Sequence, residues 1–419
     1  MERLIFHVDI NSAYLSWEAA RRLSAGGEDI RLIPSAIGGD REKRTGVILA
    51  KSIPAKEYGI RTGEPVASAL RKCPQLFLAR PDFRLYESCS GAFMGICERY
   101  APVMERYSID ECFLDMSETQ SVYPDPIRTA AQIKDEIRDT LGFTANVGIS
   151  TNKLLAKMAS DFQKPDRVHT LFPGEIPEKL WPLPVRSLFT VGRVTAQRLN
   201  GAYIYTIGAL AATPPERVQS LVGAKLGRQI HHYANGRDDS PVLSERGEAK
   251  GYSSATTLAE DVTTFERAHG ILLALADGVS SRMRADGAKA FCVAVTIRGN
   301  DFKDQSHQRK LEEATDITSE IYAVSKQLFA QLWNARTPLR LLGISLSNLT
   351  RDGYVQQSLF DNQEKERSRQ LDEAVDSIRG KFGSDTIMRG GVFRSGVNTS
   401  KKYKAQLDNQ SKGGGGEPF

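Results

Sequence analysis

Apolar residues crowd the start of the chain, where Leu4, Ile5, Phe6 and Val8 read as a strand over residues 1–10. Asn11 or Ser12 can cap a following helix that carries Tyr14, Trp17 and an Ala-Ala pair to about Leu23. Residues 31–75 form a short, mixed segment dense in Arg and Lys. Longer helical patterns return over 76–165, around a second apolar strand in YSIDECFLD (107–115), and end in NVGISTNKLLAKMASDFQKP. A Pro-rich passage, FPGEIPEKLWPLP (172–184), marks a linker. Short helical units broken by glycines follow over 185–240, SLFTVGRVTAQRL and LVGAKLGRQIHHYANG, and the polar residues 241–250 read as a tether.

Beyond the tether the pattern is strand (251–258), helix (262–285), strand (290–298), strand (308–313), helix (317–334), strand (340–349). The first helix carries Phe265, Leu272, Val279 and Met283 at helical spacing; the second carries Ile317, Ile321, Val324, Leu328 and Leu332. Alternation puts Phe291, Val293, Val295 and Ile297 on one face of the strand between them. A β-α-β-β-α-β order predicts a split βαβ sheet with two helices on one face. From residue 351 the character changes. One amphipathic helix is expected, with Leu371, Ala374, Val375, Ile378 and Phe382 on its apolar side, before a Lys-, Ser- and Gly-rich end predicted to be disordered.

Three carboxylates stand out against this pattern. Asp9 sits near the end of the first apolar strand, and Asp110 and Glu111 are adjacent in the second. A carboxylate in an apolar strand is unfavourable unless it is paired or bound to a metal. Adjacent strand residues face opposite ways, so Asp110 and Glu111 reach one site only if the chain bends there, as in a hairpin. Such a set suits hard Mg²⁺, which takes a few carboxylates plus substrate phosphates and serves in-line nucleotidyl transfer. Two isolated acids, one at a strand end and one pair in a turn, are the alternative on pattern alone.

Composition narrows the picture only slightly. At 419 residues the chain should hold two to four domains, and a net charge of +5 permits a polyanionic partner without demanding one. Five cysteines without CxxC spacing argue against a zinc site or disulfide framework and for a reducing compartment. The N-terminal apolar run is too short, and too acidic, for a signal peptide, and no stretch suits a transmembrane helix, so a cytoplasmic protein is expected. Residues 281–310 hold Arg282, Arg284, Lys289, Arg298, Lys303, Arg309 and Lys310 against three Asp, a candidate stripe for phosphates. Glu312, Glu313, Asp316 and Glu320 are segregated just after it.

HVDINSAY followed by SIDECFLD resembles the palm signature of the Y-family, or translesion, DNA polymerases of the DinB/UmuC group, and the likeness runs from Met1 to about residue 361. The resemblance implies an α+β, multidomain right hand. Its ferredoxin-like palm would be residues 1–10 and 76–165, small fingers 11–75, and a helix-hairpin-helix thumb 166–240. A linker (241–250), a βαββαβ little finger (251–350) and a tail (351–419) complete it.

It further implies two Mg²⁺ ions held by Asp9, Asp110, Glu111 and the Ile10 carbonyl, Tyr14 as a steric gate against ribonucleotides, and Lys56 and Lys164 on the triphosphate. The family's fingers often show Tyr-x-x-Arg; here Ile53 and Lys56 stand at those positions, which removes a hydroxyl and a bidentate fork. Asp115 reads as structural. Gly192, Arg193, Gly223 and Gly227 at the thumb turns, with Arg282, Arg284 and Arg298, are the expected DNA contacts. QQSLF resembles the peptide by which bacterial polymerases dock on the sliding clamp, so Gln356, Leu359 and Phe360 are the expected anchors.

The partners implied are primer-template DNA, deoxynucleoside triphosphates, the clamp and accessory SOS proteins, with the chain itself a monomer. No second acidic cluster resembles a proofreading exonuclease. A non-catalytic clamp-bound scaffold would not need the acid triad. An enzyme of free nucleotides would not need the thumb, little finger or clamp peptide.

Overall fold

A computed structural model of the chain describes residues 3–39, 46–245, 247–351, 362–383 and 386–393. They fall into two compact units, the first ending and the second beginning near residue 246.

The first unit contains strands β1 (Ile5–Ile10), β2 (Ser35–Gly38), β3 (Ile48–Lys51), β4 (Phe77–Ala79), β5 (Val103–Arg106), β6 (Glu111–Asp115), β7 (Ala145–Ser150) and β8 (Val168–Thr170). Five of them form one sheet in the order β5-β6-β1-β7-β8, and three a smaller sheet, β3-β2-β4. Its helices are α1 (Ala13–Ser24), α2 (Ile53–Glu57), α3 (Val66–Lys72), α4 (Phe83–Glu98), α5 (Pro126–Leu141), α6 (Lys153–Ser160), α7 (Arg193–Gly201), α8 (Ile207–Ala212), α9 (Pro215–Val222) and α10 (Ala224–Ala234).

Every residue of β1 and β7 is buried, because both faces of the larger sheet are covered. On one face Phe6, Val8 and Val147 pack with Trp17 of α1, Phe93 of α4 and Ile133 of α5. On the other, Ile5 and Phe113 meet Ala156 of α6 and Val242. Residues 241–243 are therefore packed rather than a free tether: Val242 fills the sheet face, and the Leu243 amide donates to Glu105 at 2.9 Å.

Other boundaries move for similar reasons. The bulky face of α1 (Leu15, Trp17) joins the core of the five-stranded sheet, β4 closes the smaller sheet beside β2, and β8 extends the larger one beside β7. Ser12 does precede α1, but in left-handed backbone with no side-chain cap. A third cluster, built on Leu155, Leu180, Leu199, Ile207 and Ile230, unites α6 with α7–α10.

The second unit contains β9 (Gly251–Val262), α11 (Phe265–Ala285), β10 (Lys289–Gly299), β11 (Asp304–Thr315), α12 (Thr318–Leu332), β12 (Leu339–Thr350), α13 (Asn362–Phe382) and α14 (Gly390–Phe393). The βαββαβ order builds an antiparallel sheet, β11-β10-β12-β9, whose apolar face packs on α11 and α12 through Leu272, Val279, Ile321 and Leu328. The pairing of β10 with β11 shifts register between Ala290 and Cys292, with the extra residues on β11, beside the point where burial along β10 stops alternating. Ala290 joins Val293, Val295 and Ile297 in the core, and Phe291 does not.

The tail helix α13 docks by a face that overlaps the expected one only in part: Val375 is buried and Ile378 partly so, but acids share the contact. Leu371 and Phe382 are more than half exposed, whereas Asp372 is 2% exposed. The Arg284 Nε lies 2.8 Å from Asp376 and its Nη1 3.2 Å from Asp372. Arg379 and Arg389 each reach Asp277 at 2.8 Å. Helix α12 has no side-chain cap of its own, and Asp372 supplies one, accepting from the Thr318 amide at 2.8 Å. The acids after the basic stretch serve the same docking, since Lys365 pairs with Glu313 at 2.8 Å and Arg369 with Asp316 at 3.5 Å. All five cysteines are free, and no helix among the described residues is long and apolar enough to cross a membrane.

Candidate active site

Strands β1 and β6 run antiparallel with Asp9 directly opposite Glu111. The chain turns through residues 107–110, where the Tyr107 and Ser108 amides both donate to the Glu111 carbonyl at 3.0 and 3.1 Å. Asp110 thus ends the turn and Glu111 opens the strand, which brings both beside Asp9 at one end of the sheet. The Ile10 amide donates to the Asp110 carbonyl at 3.0 Å, tying the turn to β1. Asp115, farther along β6, accepts from the Ser117 hydroxyl at 2.6 Å and amide at 3.1 Å, a structural role.

Helix α6 lies close against this end because Gly148 of β7 lets it. A Cβ there would collide with the Ala156 carbonyl and the Ser160 amide. Its approach delivers Lys157, whose Nζ donates to Glu111 Oε2 at 2.7 Å. The ammonium also stands 5.1 Å from the Tyr107 ring and 5.7 Å from the Phe189 ring. Just past the helix, Lys164 Nζ donates to Asp9 Oδ1 at 2.9 Å and pairs with Asp161 Oδ1 at the same distance. His7, fully buried on β1, shares a hydrogen bond with Ser160 Oγ (2.8 Å) and presents Nε2 3.7 Å from Glu111.

The charges of this cluster follow from burial and pairing. Burial pushes the Asp9 carboxyl up to about 7, against the pull of Lys164. Burial alone would raise Glu111 too, but the nearby His7 imidazole and the hydrogen bond and charge of Lys157 outweigh it and hold that carboxyl well below the ordinary range. Burial brings His7 down to about 4, so it is neutral at physiological pH.

Among the described residues no three His, Cys, Asp or Glu side chains converge on one point. Each acid is turned to a partner of its own: Asp9 to Lys164, Glu111 to Lys157, and Asp110 to the Ser108 hydroxyl, which donates at 2.6 Å. The donor set still suits a hard divalent cation. It offers only carboxylate oxygens, on two paired strands, with enough negative charge that two lysines gather on it.

Tyr14 lies on the first turn of α1, near enough to Asp110 for its phenol to be raised by burial first and that charge second. Its ring stacks on Tyr86 (4.6 Å between centroids, 27° between planes) and meets Trp17 and Phe83 edge-on. Tyr86 and Trp17 are fully buried, so the Tyr14 ring is braced from behind. In the smaller sheet's neighbourhood, Ile53 (63% exposed) and Lys56 stand on α2, capped by Ser52, which accepts from the Ala55 amide at 3.1 Å. Burial and the nearby Lys56 lower the Lys51 ammonium, so two cations share that surface.

The expected DNA contacts separate into two groups. Gly192 and Arg193 are exposed at the start of α7, and Gly223 is exposed at the α9–α10 turn, where its φ of +97° favours glycine. Gly227 is instead buried in helix packing, since a Cβ there would lie 2.6 Å from the Gln219 Cα. Arg284 is withdrawn into the tail network, 8% exposed. Arg282 donates to the Ser253 carbonyl at 2.8 Å, and Arg298 is forked onto Asp304 at 2.5 and 2.7 Å. Gln356, Leu359 and Phe360 lie outside the described residues.

The sequence reading missed Lys157 and His7. A signal existed for the lysine: every other residue of Leu154–Ser160 is apolar or small, and a buried charge in such a helix needs a partner as much as Asp9 does.

Comparison with known proteins identifies the family. Residues 8–161 match the impB/mucB/samB family, residues 173–202 its helix-hairpin-helix motif, and residues 249–359 its C-terminal domain. The chain is 44% identical to DNA polymerase IV of Clostridium acetobutylicum, over 93% of this chain and 98% of that one. It is 36% identical to DNA polymerase IV of Clostridium kluyveri, over 95% and 100%. Among solved structures, a Y-family DNA polymerase chimera superposes with a TM-score of 0.71 at 21% identity, covering 83% of this chain and all of the chimera, and so shares the fold. With relatives this close over nearly its full length, the chain belongs to the impB/mucB/samB family, the Y-family DNA polymerases of DNA polymerase IV type.

Proposed function

We propose that this polymerase adds deoxynucleotides to a primer 3′ end at low fidelity across damaged template. Its catalytic residues are then Asp9, Asp110 and Glu111, and it carries no proofreading site. The observation that supports this most is the opposition of Asp9 and Glu111 across β1 and β6, with Asp110 in the adjoining turn. The five-stranded sheet is the palm, the three-stranded one the fingers, α7–α10 the thumb and the second unit the little finger.

Asp9, Asp110, Glu111 and the Ile10 carbonyl would hold two Mg²⁺ ions, which would supply charge neutralisation at the primer hydroxyl and the pyrophosphate. The chain's own side chains do the rest. Lys157 fixes one Glu111 oxygen and leaves the other free. Lys164, Lys56 and the neighbouring Lys51 attract the triphosphate. Tyr14, braced by Tyr86, closes the space a 2′-hydroxyl would occupy. Gly192, Arg193 and Gly223 offer backbone amides and charge to the DNA phosphates. Gln356, Leu359 and Phe360 recruit the sliding clamp in damage tolerance, where accessory SOS proteins join.

Primer extension by the purified chain, alone with Mg²⁺ and a short primer-template, tests the reading. Incorporation directed by the template is expected; no template-directed incorporation under these conditions would contradict the reading.

A further inference from the structure

We propose that Lys164 is the built-in counter-ion of the acid site, exchanging Asp9 for the phosphates of the nucleotide and so coupling cation binding to triphosphate binding. The inference rests on the metal reading given above. Its starting point is that the two lysines at the site are held in different ways. Lys157 is 11% exposed and, among the described residues, pairs with Glu111 alone, over the Tyr107 and Phe189 rings. Lys164 is 35% exposed and spans two acids, with Asp9 Oδ1 and Asp161 Oδ1 each 2.9 Å from its Nζ.

With the ammonium on Asp9 Oδ1, a divalent cation on the same carboxylate would bring two positive charges within a few ångströms of each other, and each would weaken the other's contact. A cation arriving at Asp9 therefore displaces Lys164. The displaced ammonium keeps its bond to Asp161, which is half exposed, and turns to the solvent side from which a polyphosphate arrives. A triphosphate offers Lys164 a stronger anion than Asp9 does, and drawing it away uncovers Asp9. Each ligand removes an obstacle to the other, and linkage makes the effect reciprocal.

Mn²⁺ binding to the full-length protein, followed by the electron paramagnetic resonance of the free ion, tests this without turnover. It is measured with and without a non-hydrolysable deoxynucleoside triphosphate. In the nucleotide-free protein, Lys164→Gln should tighten Mn²⁺ roughly twofold to fivefold, the weight of one partly exposed ion pair. The enhancement of Mn²⁺ affinity by nucleotide should shrink by a similar factor, and Lys164→Arg, which keeps the charge, should stay near the wild type. Unchanged or weaker Mn²⁺ binding by Lys164→Gln overturns the proposal. So does a wild-type chain that binds Mn²⁺ equally with and without nucleotide. Asp9→Asn separates the two layers: if it leaves Mn²⁺ affinity intact, the metal reading itself fails. If it weakens Mn²⁺ while Lys164→Gln changes nothing, only the counter-ion role is lost.

Discussion

Burial lifts the Asp9 carboxyl from 3.8 to about 7, so above neutral pH the protein keeps an ionised group in a place that disfavours it. The folded state then binds a proton more tightly than the unfolded state does. The stability this group contributes is complete below about pH 4 and is lost as pH rises towards 7. Asn at position 9 carries no charge to bury. In EDTA, Asp9→Asn should therefore be more stable to thermal unfolding than the wild type at pH 8, its unfolding free energy larger by roughly 1–3 kcal/mol after loss of the Lys164 bond, and the gap should close by about pH 4. A gap independent of pH would mean that Asp9 is ionised without strain. His7 has the opposite sign, losing stability as pH falls from 6.5 towards 4, but both variants share it.

The gate makes a second residue-scale prediction. Tyr14→Ala should admit ribonucleotides, lowering sugar discrimination by orders of magnitude while deoxynucleotide use survives; competing single-nucleotide insertions measure it. Undiminished discrimination would place the gate elsewhere. At this scale the sequence spoke wherever a charge interrupted an apolar strand. It was silent on His7, whose role, like that of Lys157, depends on Gly148 letting α6 approach β1 and β7.

Periodicity was a good guide to elements whose apolar faces meet an apolar partner, as the βαββαβ order of the second unit shows. It misled where that condition fails. Phe291 stays out of the core beside a register shift in the pairing with β11, and no alternation announces such a shift. Helix α13 binds a polar side of its unit, so Asp372 is buried and the apolar Leu371 is left outside. Removing one partner of a buried ionic network leaves the others uncompensated. Asp372→Ala should therefore destabilise the second unit by about 3–5 kcal/mol, whereas Leu371→Ala should change it by less than about 0.5 kcal/mol. Urea unfolding of the two variants decides the matter, and the reverse order would mean that α13 is held by its apolar stripe. The same network explains why Arg284, read as part of a phosphate-tracking stripe, is spent on docking the tail.

On the scale of the whole molecule, recruitment and catalysis should separate. Replacing Leu359 and Phe360 with Ala should leave extension of a short primer-template unchanged and cancel any stimulation by the clamp. Each side chain can contribute roughly 1.5–3 kcal/mol on burial, so clamp affinity should fall on the order of a hundredfold or more. Surface-plasmon measurement of clamp binding, beside clamp-free activity, checks it; equal loss of both would assign the pair to the fold.

The most direct measurement is single-nucleotide incorporation by Asp110→Ala beside its affinity for duplex primer-template. Duplex binding rests on distributed phosphate contacts far more than on one acid, so affinity should stay within about twofold. Loss of a metal ligand should remove several kcal/mol of transition-state stabilisation, leaving incorporation at least ~100-fold down at saturating Mg²⁺. Incorporation at the wild-type rate under those conditions would contradict the assignment of Asp9, Asp110 and Glu111 as the catalytic centre.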